Sequence, residues 1–345
     1  MLTIYSDRHH KHHGNTELID GQLLPCFEMP SRAEHVLSRV RQVALGEVRE
    51  PEAFGLDPVR RVHSPAFVDF LSSAWTEWAA TGRTHDALPL VWPVRGLRTD
   101  RVPQDIDGKL GYYSFDAGVP ITAGTWDAVQ ASADVALTGA RLIAGGASAA
   151  FGLCRPPGHH AAADYMGGYC YLNNAAIAAQ YLRDQGAARV AVLDVDYHHG
   201  NGTQSIFYER SDVCFVSLHG DPLVEYPYFL GYADETGAGA GLGFNHNYPL
   251  PHGTAWDSYS LALADACAKL RAFGADALVV SLGVDTFEQD PISKFKLGNT
   301  DYLRMGEAIG GLGLRTLFLM EGGYAVDDIG VNAVNVLQGF ESVKP

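Results

Sequence analysis

Cysteine is scarce and unpaired in this 345-residue chain: Cys26, Cys154, Cys170, Cys214 and Cys267 are odd in number and widely scattered, with no C-x-x-C. That excludes a disulfide scaffold and points to a reducing, cytoplasmic setting. Long apolar runs are missing too. None approaches the ~18 residues of a membrane span, and no basic-then-apolar leader opens the sequence. Positive charge is in short supply, with 25 Lys and Arg against 40 Asp and Glu, a formal net charge of -15. Such a surface repels nucleic acid and anionic membrane, and it favours small cationic substrates. Repeats and low-complexity linkers are also absent, so one domain over residues 1–345 is expected.

What is present is an ordinary globular composition, 47% hydrophobic and 19% charged, enough for a sizeable core. Short, nearly continuous apolar runs read as strands covered on both faces: Leu2–Tyr5, Ser148–Leu153, Val190–Leu193, Val213–Leu218, Ala277–Leu282 and Thr316–Met320. Helical patterns alternate with them at Trp126–Ile143, Asn173–Asp184, Trp256–Phe273, Tyr302–Ile309 and Asp327–Gln338. This alternation predicts an α/β fold, a parallel sheet flanked by helices. One stretch breaks the rhythm: Leu88–Gly111 holds Pro89, Arg95, Arg98, Arg101 and Pro103 with little periodicity. A structureless loop of that length serves function or assembly.

Open parallel sheets carry their sites beyond the carboxyl ends of the strands. Here the strand ends deliver Arg155-Pro-Pro-Gly-His159-His160, then Asp194, Asp196 and His198, then His219, then Asp285, and last Glu321-Gly-Gly-Tyr324. Single polar residues after strands are commonly caps or turns; five clusters on one rim are not. Asp194, Asp196 and His198 are spaced by two, which in extended chain puts all three on one side. So many ionisable groups at a strand end call for a cation, and mixed carboxylate and imidazole donors suit a divalent transition metal such as zinc. Asp285, after a buried strand and a glycine, is the third candidate ligand. The paired His159 and His160 suit acid–base work, and Tyr324 suits an oxyanion. The histidines at His9, His10, His12 and His13 lack any such frame and read as surface residues.

Together these motifs resemble the arginase/deacetylase superfamily, specifically the histone deacetylase-like zinc amidohydrolases. The carrying residues are Arg155–Ala161, Gly167–Asn174, Leu193–Gly202, Val216–His219, Leu282–Asp285 with Asp290-Pro291, and Glu321–Tyr324, in family order over most of the chain. Tyr5–Asp7, Pro30–Arg32 and Leu88–Gly111 resemble its acetylpolyamine amidohydrolase branch. The resemblance implies a single-domain arginase/deacetylase-like fold with a central parallel eight-stranded sheet. It implies that Asp196, His198 and Asp285 hold zinc, that His160 is the general base with His159 its electrostatic partner, and that Tyr324 steadies the oxyanion. Asp194 would orient His159, and with Ser217, Leu218, Asp196 and His198 it would form a structural potassium site. Tyr169 and Phe229 would wall a substrate tunnel, with Asp116 at its lip, and the long loop would pair two subunits. The sequence departs from many family members at Asn201, an Asp there, which leaves His160 less basic, and at Tyr169, a Phe there. His199 receives no role.

The activity so implied is hydrolysis of N-acetylated polyamines of the acetylputrescine or acetylcadaverine type to acetate and free amine. Deacetylation of acetyl-lysine proteins, or of another small acylamide, is the alternative within catalysis. A non-catalytic binding protein would need a broken site, and every candidate ligand is present.

Overall fold

Residues 1–19 and 21–343 are described by the computed structural model. Ten strands are β1 (Leu2–Ile4), β2 (Glu17–Ile19), β3 (Gln22–Leu24), β4 (Val48–Arg49), β5 (Ala149–Gly152), β6 (Val190–Asp194), β7 (Val213–Gly220), β8 (Asn245–Leu250), β9 (Ala277–Leu282) and β10 (Arg315–Met320). Eight of them form one sheet in the order β4-β1-β5-β10-β9-β6-β7-β8, and every neighbouring pair is parallel. The remaining two, β2 and β3, make a small antiparallel hairpin. The expected α/β architecture and its eight-stranded parallel sheet are therefore found. The last strand in the chain, β10, lies in the interior of the sheet, between β5 and β9.

Alternation along each strand feeds two cores. Ala191, Leu193, Val280 and Leu282 face the helices Ser31–Gln42, Trp256–Phe273, Asn299–Gly310 and Val326–Ser342. Val190, Val192 and Val279 face Thr125–Ala144 and Asn174–Asp184 on the other side. That is why these runs are apolar on both faces almost throughout, with Ser281 the one hydroxyl inside β9. A third cluster, built on Phe67, Phe70 and Trp78 of the helix Pro65–Ala80, packs beside Leu110 and Ile177.

Two expectations need correction. The stretch 88–111 is not structureless throughout: Ile106–Tyr112 is a helix, started by Asp105, whose carboxylate accepts from Asp107 N–H at 2.9 Å. Ile106 and Leu110, four apart, bury its inner face. The amino-terminal histidines are also not all on the surface. His9 and His12 are each 3% exposed; His9 meets the Tyr5 hydroxyl at 2.9 Å and His12 the Thr125 hydroxyl at 3.0 Å. Among the described residues no helix is long and apolar enough to cross a membrane.

Candidate active site

The strand β6 ends at Asp194, and from there the backbone stops alternating. Asp194 Oδ1 accepts from Asp196 N–H at 3.1 Å, and Asp196 Oδ1 accepts from His198 N–H at 2.9 Å. These two successive aspartate turns re-aim each side chain, so spacing by two no longer means one side. Asp194 consequently turns to His159, 2.9 Å from its Nδ1, while Asp196 and His198 turn to Asp285. The same-side expectation overcounted by one carboxylate.

Asp196, His198 and Asp285 are buried and offer ligand atoms that all lie within 4.8 Å of one another. His198 Nδ1 stands 3.1 Å from Asp285 Oδ2 and 3.5 Å from Asp196 Oδ1. Burial, and then the facing Asp196 carboxylate, push the Asp285 carboxyl above its usual range. Two buried carboxylates in that position are relieved by a divalent cation. The cradle is closed by glycine: a Cβ on Gly283 would fall 2.1 Å from Asp196 Oδ2, and one on Gly322 would fall 2.5 Å from Asp196 Oδ2 and 2.6 Å from Asp285 Oδ2. The donor set and the space fit zinc.

The two histidines after β5 are held apart in character. Burial lowers the basicity of His159, but Asp194 and Asp196 outweigh it and raise its pKa to about 10. His160 is pushed well below the usual imidazole range by burial and by the charge of His159 and His198. Its Nδ1 lies 2.6 Å from Asn201 Oδ1, an acceptor, so that nitrogen carries the proton and Nε2 is left free to take one. Such a split is the mark of an acid–base site. Glu321 Oε2 accepts from Gly158 N–H at 2.6 Å and His159 N–H at 3.2 Å, fixing the loop that bears both rings. His159, Cys170 and Glu321 also come within metal-binding reach of one another, but His159 is already committed to Asp194 and Glu321 to this loop. Tyr324 is kept protonated, its pKa raised well above the usual phenol range by burial. Its own N–H donates to Asp290 Oδ2 at 2.7 Å.

A cavity of about 520 Å³ reaches His160, His198 and Tyr324 and is lined by Tyr169, Tyr226 and Glu17. Tyr169 lines it, with its ring 5.6 Å from that of Tyr324. Phe229 does not: it is 86% exposed and outside the cavity. The aromatic wall is supplied three residues earlier by Tyr226, edge-on to His160 at 5.2 Å and to His198 at 5.8 Å. Asp116 does not stand free at the lip, because its oxygens accept from Gly118 N–H, Gly168 N–H and the Tyr226 hydroxyl. His219 lies inside β7 rather than on the rim, bonded to Ser217 and to Gly231 O. His199 meets Gln204 at 3.1 Å, which gives it a structural place. Ser217 sits beside Asp194 in the paired strands β6 and β7, and Leu218 follows it. Sequence reasoning missed Glu17, which lies in the β2–β3 hairpin with no motif around it, and Tyr226, whose only signal is the aromatic run Tyr226-Pro-Tyr-Phe229.

A sheet with a buried Asp–His–Asp cradle, a split histidine pair and a buried tyrosine defines a deacetylase-type amidohydrolase. The model of the Histone deacetylase domain matches residues 26–340, and the chain belongs to that family, which uses a catalytic zinc ion. Within it the chain falls in the acetylpolyamine amidohydrolase branch. It is 68% identical over 343 residues to Acetylpolyamine amidohydrolase 2 of Pseudomonas aeruginosa, covering 99% of each chain. It is 52% identical over 339 residues to Acetylpolyamine amidohydrolase of Mycoplana ramosa, covering 98% of this chain and 99% of that one. The crystal structure of acetylpolyamine aminohydrolase from Burkholderia pseudomallei superposes with a TM-score of 0.95 at 41% identity, covering 100% of both chains.

Proposed function

We propose that this protein hydrolyses the acetamide of N-acetylated polyamines, of the acetylputrescine or acetylcadaverine type, to acetate and free amine. The observation that carries the reading is one cavity in which His160, His198 and Tyr324 share the lining with the carboxylates of Glu17 and Glu225, two against the single ammonium of Lys294. The catalytic groups act on the amide, and the carboxylates favour a cationic amine at its other end. The relatives' names agree with this substrate class.

Asp196, His198 and Asp285 would hold the zinc. When bound, zinc polarises the amide carbonyl and lowers the pKa of water toward about 7. His160 takes a proton from the attacking water at Nε2 and later delivers it to the departing amine. His159, kept cationic by Asp194, places positive charge beside the reacting centre. Tyr324 donates its hydroxyl proton in a hydrogen bond to the developing oxyanion. Tyr169 and Tyr226 flank the substrate chain.

Asp194 and Ser217, with Leu218 and the backbone oxygens of Asp196 and His198, would form a structural potassium site. Its support is the burial of Asp194, which is 0% exposed beside Ser217. The stretch 88–111 would join two subunits into a homodimer. Its support is the exposure of Leu90, Val94 and Leu97, at 82%, 64% and 57%. Five free, buried cysteines support a cytoplasmic location. Acetate release from acetylputrescine, acetylcadaverine, acetylspermidine and an acetyl-lysine peptide tests the substrate class. A wide margin in favour of the peptide would overturn it.

A further inference from the structure

Asp116 looks, in the sequence, like a group waiting for substrate, but its bonding capacity is spent inside the protein. Oδ1 accepts from Gly118 N–H at 2.9 Å, and the two oxygens share Gly168 N–H at 3.2 and 3.0 Å. Oδ2 also accepts from the Tyr226 hydroxyl at 2.5 Å. A carboxylate offers about four lone-pair sites, so little is left for a ligand. The donors belong to the two aromatic sides of the cavity. Gly168 directly precedes Tyr169, a residue held at φ +67° whose own N–H donates to Gly118 O at 2.9 Å. Tyr226 stands edge-on to His160 and, at 5.9 Å, stacks with Phe115, the neighbour of Asp116.

Gly168 makes the contact tighter. Its φ is +53°, and a Cβ there would fall 2.3 Å from His160 Cδ2 and 2.8 Å from the Tyr226 hydroxyl oxygen. The catalytic imidazole, the glycine and the wall tyrosine are thus in close contact around the atoms that Asp116 binds. We infer that Asp116 is a positioning residue whose single carboxylate sets the gauge between Tyr169 and Tyr226, and not a group that grips the substrate's ammonium. The inference rests on the amidohydrolase reading of this cavity and specifies which residue fits the substrate chain.

Charge separates the two roles. In the zinc-loaded enzyme, Asp116→Asn and Tyr226→Phe are compared with wild type on acetylputrescine and on N-pentylacetamide, a chain of the same length with a methyl group in place of the ammonium. A positioning carboxylate predicts that each variant loses about tenfold in kcat/KM on both substrates in parallel, the scale of one hydrogen bond to a charged group. It also predicts that the double variant is no worse than the poorer single one, because both changes break the same bond. Loss by Asp116→Asn on the cationic substrate alone, or no loss in either variant, overturns the inference. If Asp116→Asn does not fold, Tyr226→Phe, which removes only the hydroxyl, decides by parallel loss or its absence. Failure of the wild type to hydrolyse acetylputrescine would count instead against the proposed substrate.

Discussion

Arg155 Nε donates to Glu28 Oε1 at 2.8 Å, and neither side chain is more than 2% exposed. The same oxygen accepts from Arg32 Nη1, also at 2.8 Å, and Arg32 in turn donates to the carbonyls of Glu321 and Gly323, both at 2.6 Å. Its guanidinium lies 4.7 Å from the centre of the Tyr324 ring. One buried carboxylate therefore ties the root of the histidine loop to the tyrosine loop. Glu28→Ala leaves two buried guanidinium groups without it, and a loss of about 3–5 kcal/mol in unfolding free energy is expected in denaturant titrations.

Tyr324→Phe removes one hydroxyl donor from the oxyanion position and leaves the ring over Arg32. Turnover should fall by about 10²–10³-fold with zinc content unchanged. Acetate release and metal analysis on one preparation check it, and undiminished release would remove the oxyanion role.

Asn201→Asp places a carboxylate on His160 Nδ1. The negative charge favours the imidazolium, so the pKa of His160 rises. The base works unprotonated, and the acid limb of the kcat/KM profile should move to higher pH. A profile unchanged on that limb would mean that another group sets it.

Gly322→Ala should spoil metal binding without touching a ligand, because its Cβ would need the space 2.5 Å from Asp196 Oδ2 and 2.6 Å from Asp285 Oδ2. The variant is expected to fold and to hold zinc more weakly, read by competition with a chelator. Wild-type affinity would show that the carboxylates can retreat.

Acid should destabilise the fold before it protonates many carboxylates. Burial lowers the pKa of His9 to about 3 and of His12, His63 and His219 to about 4. The unfolded chain binds these protons near pH 6.5 and the native one does not, so stability falls as pH drops from about 6.5 toward 4. Each contributes on the order of 1–2 kcal/mol at pH 5. Chemical denaturation at pH 7 and pH 5 measures the difference, and equal midpoints would refute it.

The interior strands were legible because burial on both faces writes an unbroken apolar run, as in Val190–Leu193 and Ala277–Val280. The edges were not. Strand β8 begins with Asn245 and Asn247, whose side chains both donate to Gln204, and it carries Pro249, so it reads as loop. The helix Pro65–Ala80 was missed altogether, although Ser64 accepts from Phe67 N–H at 3.3 Å and Pro65 opens its first turn. The candidate metal ligands Asp196, His198 and Asp285 were picked out by their motifs, and the fold brings their ligand atoms within 4.8 Å of one another. Asp116 and Phe229 were misjudged because a motif gives a residue's neighbourhood, whereas hydrogen bonding and exposure decide what it faces.

The place of β10 in the sheet has a consequence for how the protein is made. A chain emerging from the ribosome carries β5, β6 and β9 well before β10, yet β10 must be laid between β5 and β9. Until that insertion the two halves of the sheet have no common backbone ladder, and Gly322 and Tyr324 are not yet in place around the ligands. The cradle of Asp196 and Asp285 is thereby closed by Gly322 only at the end of synthesis, and zinc uptake by a growing chain would time-stamp the moment its sheet is sealed.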